Sequence, residues 1–264
     1  MELVDIGVNL TDKAFANDLD QVLVEARQAG VNQLIVTGTN LQESRQAVAL
    51  CRQHGPGLWC TAGVHPHNAK EWSDRHYQAL KALLEDPLVV AMGETGLDFN
   101  RNFSPPQQQL FAFEEQLKLA AETGMPLFLH ERDAHEAQLK LLQQYRSQLH
   151  GGVIHCFTGS AEELDHYLEL DLYVGITGWI CDERRGLHLQ ELIHRIPPQR
   201  LLLETDSPYL LPRTLRPKPK SRRNEPRHLA HITEQIAPML GTDPTSLAAQ
   251  TTRNAATLFK LENP

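Results

Sequence analysis

The sequence has few cysteines and no long apolar run. These two features argue against disulfide-rich and membrane-spanning proteins. Its four cysteines lie far apart and form no Cys-x-x-Cys pair, which argues against a disulfide framework or a zinc knot. No stretch approaches the roughly 18 apolar residues that span a bilayer. The first residues contain several aspartates and no basic segment ahead of an apolar run, so no signal peptide is predicted. We therefore expect a cytoplasmic protein with no membrane partner.

Positive charge is also scarce over most of the chain. The 264 residues carry a formal net charge of −8, with 41 % hydrophobic and 22 % charged residues. This composition is that of an ordinary globular protein, and its negative charge argues against a surface that binds duplex DNA without specificity. No Gly-x-Gly-x-x-Gly motif follows the first apolar segment, which weakens a nucleotide-binding open sheet.

Short apolar segments alternate with longer amphipathic ones along the whole sequence. Strands are predicted at 3–8, 33–37, 58–62, 89–93, 126–129, 152–155, 172–176 and 201–204. Helices are predicted near 18–30, 41–54, 74–86, 106–123, 134–149, 161–169, 187–195, 226–240 and 244–259, and Ser104 is expected to cap the fourth of them. Eight buried strands, each followed by a helix, predict an α/β protein, a single (β/α)8 barrel of the TIM type over residues 1–264. A doubly wound open sheet is the alternative.

Metal-binding types of side chain follow five of the eight predicted strands. They are His65, Glu94, His130, His155 and Asp206. In a β/α barrel the catalytic residues lie at the carboxyl ends of the strands. Each residue alone has an ordinary explanation, because a histidine at a strand edge is more often a core or rim residue than a ligand. Carboxylates left unpaired there would be costly, so the set as a whole predicts a divalent metal site.

The types of side chain suggest the chemistry of that site. Mixed imidazole and carboxylate ligands suit Mg²⁺, Mn²⁺, Zn²⁺ or iron. Such a cation lowers the pKa of water from about 15.7 toward about 7. We assign Glu94, His130 and His155 as ligands, and Asp206 as the base that also touches the metal. His65 is either part of the ligand shell or a donor to a developing oxyanion.

A basic segment follows the last predicted strand. Residues 213–227 carry seven basic side chains against one acidic side chain, Glu225. Its position beside the expected metal predicts phosphate binding, with a solvated loop as the alternative. The residues assigned to this role are Arg213, Lys218, Lys220, Arg222 and Arg223. Aromatic residues near other strand ends could stack on unpaired bases, with core packing as the second explanation for at least half of them: Phe99, Phe103, Phe157, Trp179 and Tyr209.

Five blocks, in this order, resemble the TatD-type deoxyribonucleases. They are Ala-Gly-Val-His-Pro-His ending at His67, Gly93-Glu94-Thr-Gly-Leu-Asp98, His155-Cys-Phe-Thr-Gly159, Glu204-Thr-Asp206-Ser-Pro-Tyr209 and Arg223-Asn224-Glu225-Pro226. The resemblance implies a barrel hydrolase that needs magnesium and removes nucleotides from the 3′ end of single-stranded DNA, with RNA as a further substrate and DNA repair as a role. It also implies Glu94, His130 and His155 as metal ligands, Asp206 as the catalytic aspartate and His65 as an active-site histidine.

The sequence departs from the family after the first strand. Many members carry Asp-x-His-x-His there, whereas this chain has Asp5-Ile-Gly7-Val-Asn9. Gly7 offers no side chain and Asn9 is a weak oxygen donor, so two imidazole ligands are missing. We expect one well-held cation, with any second cation water-rich and completed by substrate phosphate, an arrangement that magnesium tolerates better than zinc.

Two other functions fit parts of the same pattern. An amidohydrolase or esterase, such as an aminoacyl-tRNA deacylase, would use the same metal chemistry on a carbonyl. No lysine that could bridge two metals lies at a predicted strand end, where Glu94 stands instead. A non-catalytic nucleic-acid-binding barrel is the other alternative. It would explain the missing strand-one histidines but not the retained ligand set. A monomer is the default expectation.

Overall fold

Strands and helices alternate along the chain as the sequence predicts. The computed structural model describes residues 1–261. The strands are β1 Leu3–Val8, β2 Val31–Val36, β3 Leu58–Ala62, β4 Val89–Asp98, β5 Leu127–Arg132, β6 Gly152–Ile154, β7 Tyr173–Ile176 and β8 Leu201–Leu203. The helices are α1 Leu19–Gln28, α2 Leu41–His54, α3 Asp74–Leu83, α4 Pro106–Thr123, α5 His135–Tyr145, α6 Ala161–Glu169, α7 Leu187–Leu192, α8 Leu229–Met239 and α9 Pro244–Phe259.

The sheet confirms the predicted fold class. Its eight strands follow one another in the order β1 to β8, and neighbouring strands such as β4 and β5 run parallel. A parallel bridge between Val8 and Ser207 joins β1 to the segment that follows β8. Eight parallel strands that alternate with helices and return to the first strand form a (β/α)8 barrel. No helix within residues 1–261 is both long and apolar enough to cross a membrane.

The chain divides into two compact units. The first comprises Met1–Val36, Cys156–Ala161 and the chain from Val174 onward. The second comprises Thr37–His155 and Glu162–Tyr173. Strands β1, β2, β8 and all of β7 except Tyr173 belong to the first unit, and β3 to β6 belong to the second. The single domain expected over residues 1–264 stays a prediction.

Strand β4 is longer than its sequence suggests. It continues from Val89 to Asp98, and all ten of its residues are buried. Gly96 makes this extension possible, because it adopts φ +136° and a Cβ atom there would lie 1.9 Å from the carbonyl oxygen of His130. Only glycine accepts both the positive φ and this close approach. The pairing of Gly96 with His130 therefore brings β5 alongside the second half of β4.

Helix α4 shows where the cap prediction is wrong. Pro105, not Ser104, occupies the cap position, and the helix ends at Gly124 in the left-handed conformation with φ 72°. Ser104 stands one residue too early to reach the free N–H groups of the first turn. Its hydroxyl instead donates to the His67 carbonyl (2.9 Å) and accepts from the Lys70 N–H (3.0 Å). The serine thus holds the segment after β3.

Candidate metal centre and catalytic residues

Three imidazoles converge on one carboxylate oxygen in the second unit. The Oε1 atom of Glu94 lies 2.9 Å from His155 Nε2, 3.0 Å from His130 Nδ1 and 3.3 Å from His65 Nε2. Glu94, His65 and His155 are buried and His130 is half-buried. The structure therefore brings together four of the five residues predicted at strand ends. The fifth, Asp206, belongs to the first unit.

Backbone hydrogen bonds position three of these side chains. The Glu94 N–H donates to the Gly38 carbonyl (2.8 Å), and the His65 N–H donates to the Thr39 carbonyl (2.8 Å). The His155 N–H donates to a carbonyl of β5 (2.9 Å). The bonds of His65 and His155 continue the parallel ladder beyond the regular strands, and that of Glu94 joins β4 to the residues after β2. Backbone hydrogen bonds of the sheet region therefore hold these side chains.

Two buried glutamines of α4 hold the strand ends from outside the sheet. The Gln116 amide accepts from the Val64 N–H (2.7 Å) and donates to the Val64 carbonyl (3.0 Å). The Gln109 amide likewise accepts from the Asp98 N–H (2.8 Å) and donates to the Asp98 carbonyl (2.9 Å). A side-chain amide is suited to this role because it has both a donor and an acceptor. Each glutamine thereby satisfies backbone groups that the ladder leaves unpaired next to His65 and at Asp98.

The structure adds one residue that sequence reasoning did not assign to the site, Asp98, and pairs it with His67, which follows β3 beside His65. The Asp98 Oδ2 atom lies 2.7 Å from His67 Nε2 and 3.6 Å from His130 Nε2. Its Oδ1 atom accepts from the N–H groups of Asn100 (3.0 Å) and Arg101 (2.8 Å). Alternation along a strand would have pointed to Asp98, because positions 94, 96 and 98 share one face of β4. Because the strand was predicted to end at residue 93, this alternation was not applied to Asp98.

The charges of the cluster support one another. Burial alone would raise the pKa of Glu94, but the imidazoles of His155 and His65 outweigh it and hold that pKa well below its usual range. Burial likewise acts to lower the pKa of His130, but the carboxylates of Asp98 and Glu94 raise it overall. Burial lowers the pKa of His65 to about 4, so this imidazole is neutral at pH 7.

The hydrogen bonds of His65 distinguish between its two predicted roles. Its Nδ1 atom accepts the His67 N–H at 3.1 Å, which places the ring proton on Nε2. A protonated Nε2 facing Glu94 is a hydrogen-bond donor and offers no lone pair to a cation. This tautomer favours the donor role for His65 over the ligand role.

The donor set fits a divalent cation. Glu94 and His130 belong to a group of three side chains whose potential ligand atoms lie within 4.8 Å of one another, the third being His65 in its donor role. His155 Nε2 reaches the same oxygen of Glu94. Imidazole nitrogen and carboxylate oxygen together suit Mg²⁺, Mn²⁺ or Zn²⁺. The cluster is therefore a possible metal-binding group, formed by residues predicted for that purpose.

Asp206 follows β8 in the first unit and is held by β1. Its N–H donates to the Gly7 carbonyl (2.9 Å), and its Oδ1 atom accepts from the Asn9 amide (3.0 Å). Asp206 has a positive φ of 54°, which bends the chain immediately after the strand. The Asn224 amide fixes the preceding residue by donating to the Thr205 carbonyl (3.0 Å).

The structure explains what the unusual strand-one residues do. The buried Asp5 accepts from the Thr205 N–H (2.9 Å) and hydroxyl (2.6 Å), and burial raises its pKa well above the usual range. Gly7 and Asn9 both bind Asp206. All three residues thus contact the segment after β8. Asn9 thus serves as a hydrogen-bond donor to Asp206.

The basic segment splits into paired and unpaired cations. Arg213 binds the Glu183 carboxylate (2.8 Å), and Arg223 binds Asp18 (2.7 Å) and Glu225 (2.8 Å). Within residues 1–261, Arg216 donates only to backbone carbonyls, and three exposed cations of the segment form neither an ion pair nor a side-chain hydrogen bond: Lys218, Lys220 and Arg222. A phosphate would have to compete with carboxylates for Arg213 and Arg223, but not for these three. The predicted nucleic-acid role of all five stays a prediction.

The aromatic residues proposed for stacking differ in exposure. Phe157 is 4 % exposed and belongs to the core, whereas Phe103 and Tyr209 are 56 % and 53 % exposed. Phe103 packs edge-on against His67, with ring centroids 4.7 Å apart. Of the five, Phe103 therefore offers an open ring next to the residues of the metal cluster.

Known proteins resemble this chain over its full length. It is 56 % identical over 259 residues to a protein from Erwinia amylovora named 3′-5′ ssDNA/RNA exonuclease TatD, covering 98 % of this chain and 100 % of that protein. A protein of the same name from Citrobacter rodentium is 57 % identical over 257 residues, covering 97 % of each chain. The crystal structure of a TatD homologue from Escherichia coli superimposes with a TM-score of 0.88 at 28 % identity, covering 98 % of both chains.

A family model gives the same result. The model for TatD-related DNases matches residues 4–260, which include every residue of the metal cluster and all strand residues except Leu3. This match, together with relatives more than half identical over the whole chain, is sufficient to assign the family. The chain belongs to the TatD-related DNases and is a hydrolase of that family.

Proposed function

We propose that the protein hydrolyses phosphodiester bonds at the 3′ end of single-stranded DNA and RNA with the help of one divalent cation. The observation that carries the proposal is the convergence of three imidazoles on Oε1 of Glu94. Relatives 55 to 57 % identical are named as 3′-5′ ssDNA/RNA exonucleases, which supports both the substrate and the polarity. Membership in a hydrolase family favours this enzyme over a non-catalytic barrel.

The proposed roles follow from the contacts of each residue. Glu94, His130 and His155 hold the cation, and Mg²⁺ is the proposed ion, with Mn²⁺ or Zn²⁺ as substitutes. When bound, the cation supplies Lewis acidity that polarises a phosphoryl oxygen and makes water more acidic. His65 donates its Nε2–H to the charge that develops on the phosphate. Asp98 holds His67 through the 2.7 Å contact.

Asp206 is the proposed base. It follows β8, and residues after the strands are where β/α-barrel enzymes carry their catalytic side chains. The Asn9 amide binds its Oδ1 atom, which orients the carboxylate so that it can take a proton from the attacking water. A cytoplasmic location, a monomeric state and a role in DNA repair also stay part of the proposal.

We expect the protein to shorten end-labelled single-stranded DNA from its 3′ end in Mg²⁺ and to leave it intact in EDTA. A 5′-labelled strand should give a ladder of shortened products, and a 3′-labelled strand should release the label at once. A strand with a phosphorothioate at its last 3′ linkage is the matched control and should resist. Products are resolved on a denaturing gel. Intact DNA with every divalent metal tried would argue against the nuclease and would favour the deacylase.

The unpaired cations of the basic segment should contribute to substrate binding. We expect the triple variant K218A/K220A/R222A to show a raised KM for single-stranded DNA and an almost unchanged kcat. Each lost phosphate contact changes the slope of log KM against log salt by about 0.7 for single strands, so the slope should fall by about 2. The variant R27A/R45A/K140A removes as much charge from exposed helix positions and serves as control. Equal KM values for both triple variants would refute a binding role for the segment.

A further inference from the structure

A second group of potential metal ligands lies in the same unit as the metal cluster. Glu131 of β5, His135 at the start of α5 and Glu163 in the first turn of α6 present ligand atoms within 4.8 Å of one another. All three residues are half-buried. Successive side chains of a strand point to opposite faces, so Glu131 faces away from the side of β5 that presents His130. This group is therefore separate from the catalytic cluster.

The histidine of the group is oriented by a second histidine. The Nε2 atom of His135 lies 3.0 Å from Nδ1 of His166, and the two rings stack with centroids 5.3 Å apart and an interplanar angle of 10°. Metal-binding histidines commonly use one ring nitrogen in this way, for a neighbour that sets the orientation of the ring. The Nδ1 atom of His135 is buried and has no hydrogen-bond partner among residues 1–261. A buried imidazole nitrogen without a partner is costly.

The two carboxylates of the group lie close together and place negative charge around His135. Glu131 and Glu163 are half-buried and present carboxylate oxygens within 4.8 Å of each other, so their negative charges repel. One oxygen of Glu131 accepts the Ala134 N–H at 2.8 Å, which fixes the carboxylate at the start of α5. A cation bound by both glutamates would neutralise this repulsion and give the Nδ1 atom of His135 a partner.

We propose that Glu131, His135 and Glu163 bind a zinc ion that ties β5 to the starts of α5 and α6. Imidazole nitrogen and carboxylate oxygen are both zinc ligands, and a water would complete the four-coordinate shell. Calcium takes six to eight oxygen ligands and magnesium keeps several waters, whereas a half-buried group of three side chains suits a four-coordinate zinc ion. The proposed role of the ion is to hold these three elements together, and it needs no contact with substrate.

The number of zinc ions bound per chain tests the proposal. It is measured in a variant that lacks the catalytic ion, so that zinc at the two sites can be distinguished. We expect the Glu94→Gln variant, stripped with EDTA and then loaded with Zn²⁺, to retain about one zinc per chain by elemental analysis. Adding Glu163→Gln should abolish that zinc, whereas adding Glu162→Gln, in the same helical turn but outside the group, should leave it. Crystals soaked in zinc should show an anomalous peak among the three side chains.

Melting temperatures provide a second measurement and show whether the variants are folded. Zinc should raise the melting temperature of Glu94→Gln but not of Glu94→Gln/Glu163→Gln, and the two metal-free proteins should melt alike. Glu163→Gln alone should leave nuclease activity in Mg²⁺ unchanged. Equal zinc content with and without Glu163, or no anomalous peak at the group, would overturn the proposal. The two glutamates would then act only as acidic residues at the starts of α5 and α6.

Discussion

Replacing Glu94 with glutamine is expected to lower the nuclease rate by about 10³-fold or more. A bound cation contributes several kcal/mol of transition-state stabilisation, and each 1.36 kcal/mol corresponds to a factor of about ten in rate. Glutamine keeps the shape of the side chain but removes the charge that three imidazoles surround. The rate would be measured on single-stranded DNA in Mg²⁺. Binding of Mn²⁺, measured by calorimetry, should fall from one tight site per chain to none.

The variant Glu136→Gln is the matched control for this experiment. Glu136 is an exposed carboxylate in the first turn of α5, and its loss should change neither the rate nor the metal content. A melting curve should show that Glu94→Gln is folded. Full activity in Glu94→Gln would remove this residue from the site. Two tight Mn²⁺ ions in the wild-type cluster would contradict the expectation of a single well-held cation, which follows from Gly7 and Asn9.

Replacing Asp206 with asparagine is expected to lower kcat by about 10²- to 10⁴-fold, the usual contribution of a general base. Asparagine has nearly the same shape as aspartate but cannot take a proton from water. KM should change little, because the proposed role is confined to the chemical step. Single-turnover cleavage of single-stranded DNA in saturating Mg²⁺ would measure the effect.

Two further variants test the assignment of Asp206. Asn9→Ala removes the amide that binds Oδ1 but leaves the carboxylate, so we expect a smaller decrease in kcat than in Asp206→Asn. Asp74→Asn changes an exposed aspartate at the start of α3 and should be neutral. Equal degradation by wild type and Asp206→Asn would show that another group is the base or that a contaminating nuclease is present.

The sequence-based predictions were accurate for elements whose ends depend on nearby residues. The bounds of α2, α4, α6 and α9 are those predicted, because prolines, caps and the spacing of apolar residues specify a helix over a few turns. The predicted end of β4 was wrong by five residues, since Gly93 and Gly96 look like the end of a strand. Pairing with β5 overrides that local signal, and Gly96 is there because the His130 carbonyl comes too close for any side chain.

The sequence by itself determined the alternation of strands and helices, the barrel and the residue types of the metal cluster. These depend on periodicity and on motifs of a few residues. Only the tertiary structure decided that three imidazoles meet at one oxygen of Glu94 and that Asp98 joins His67. It also decided that Asn9 binds Asp206, 197 positions away. Such contacts depend on strand register and side-chain packing, which bring together residues whose sequence separation carries no periodic signal.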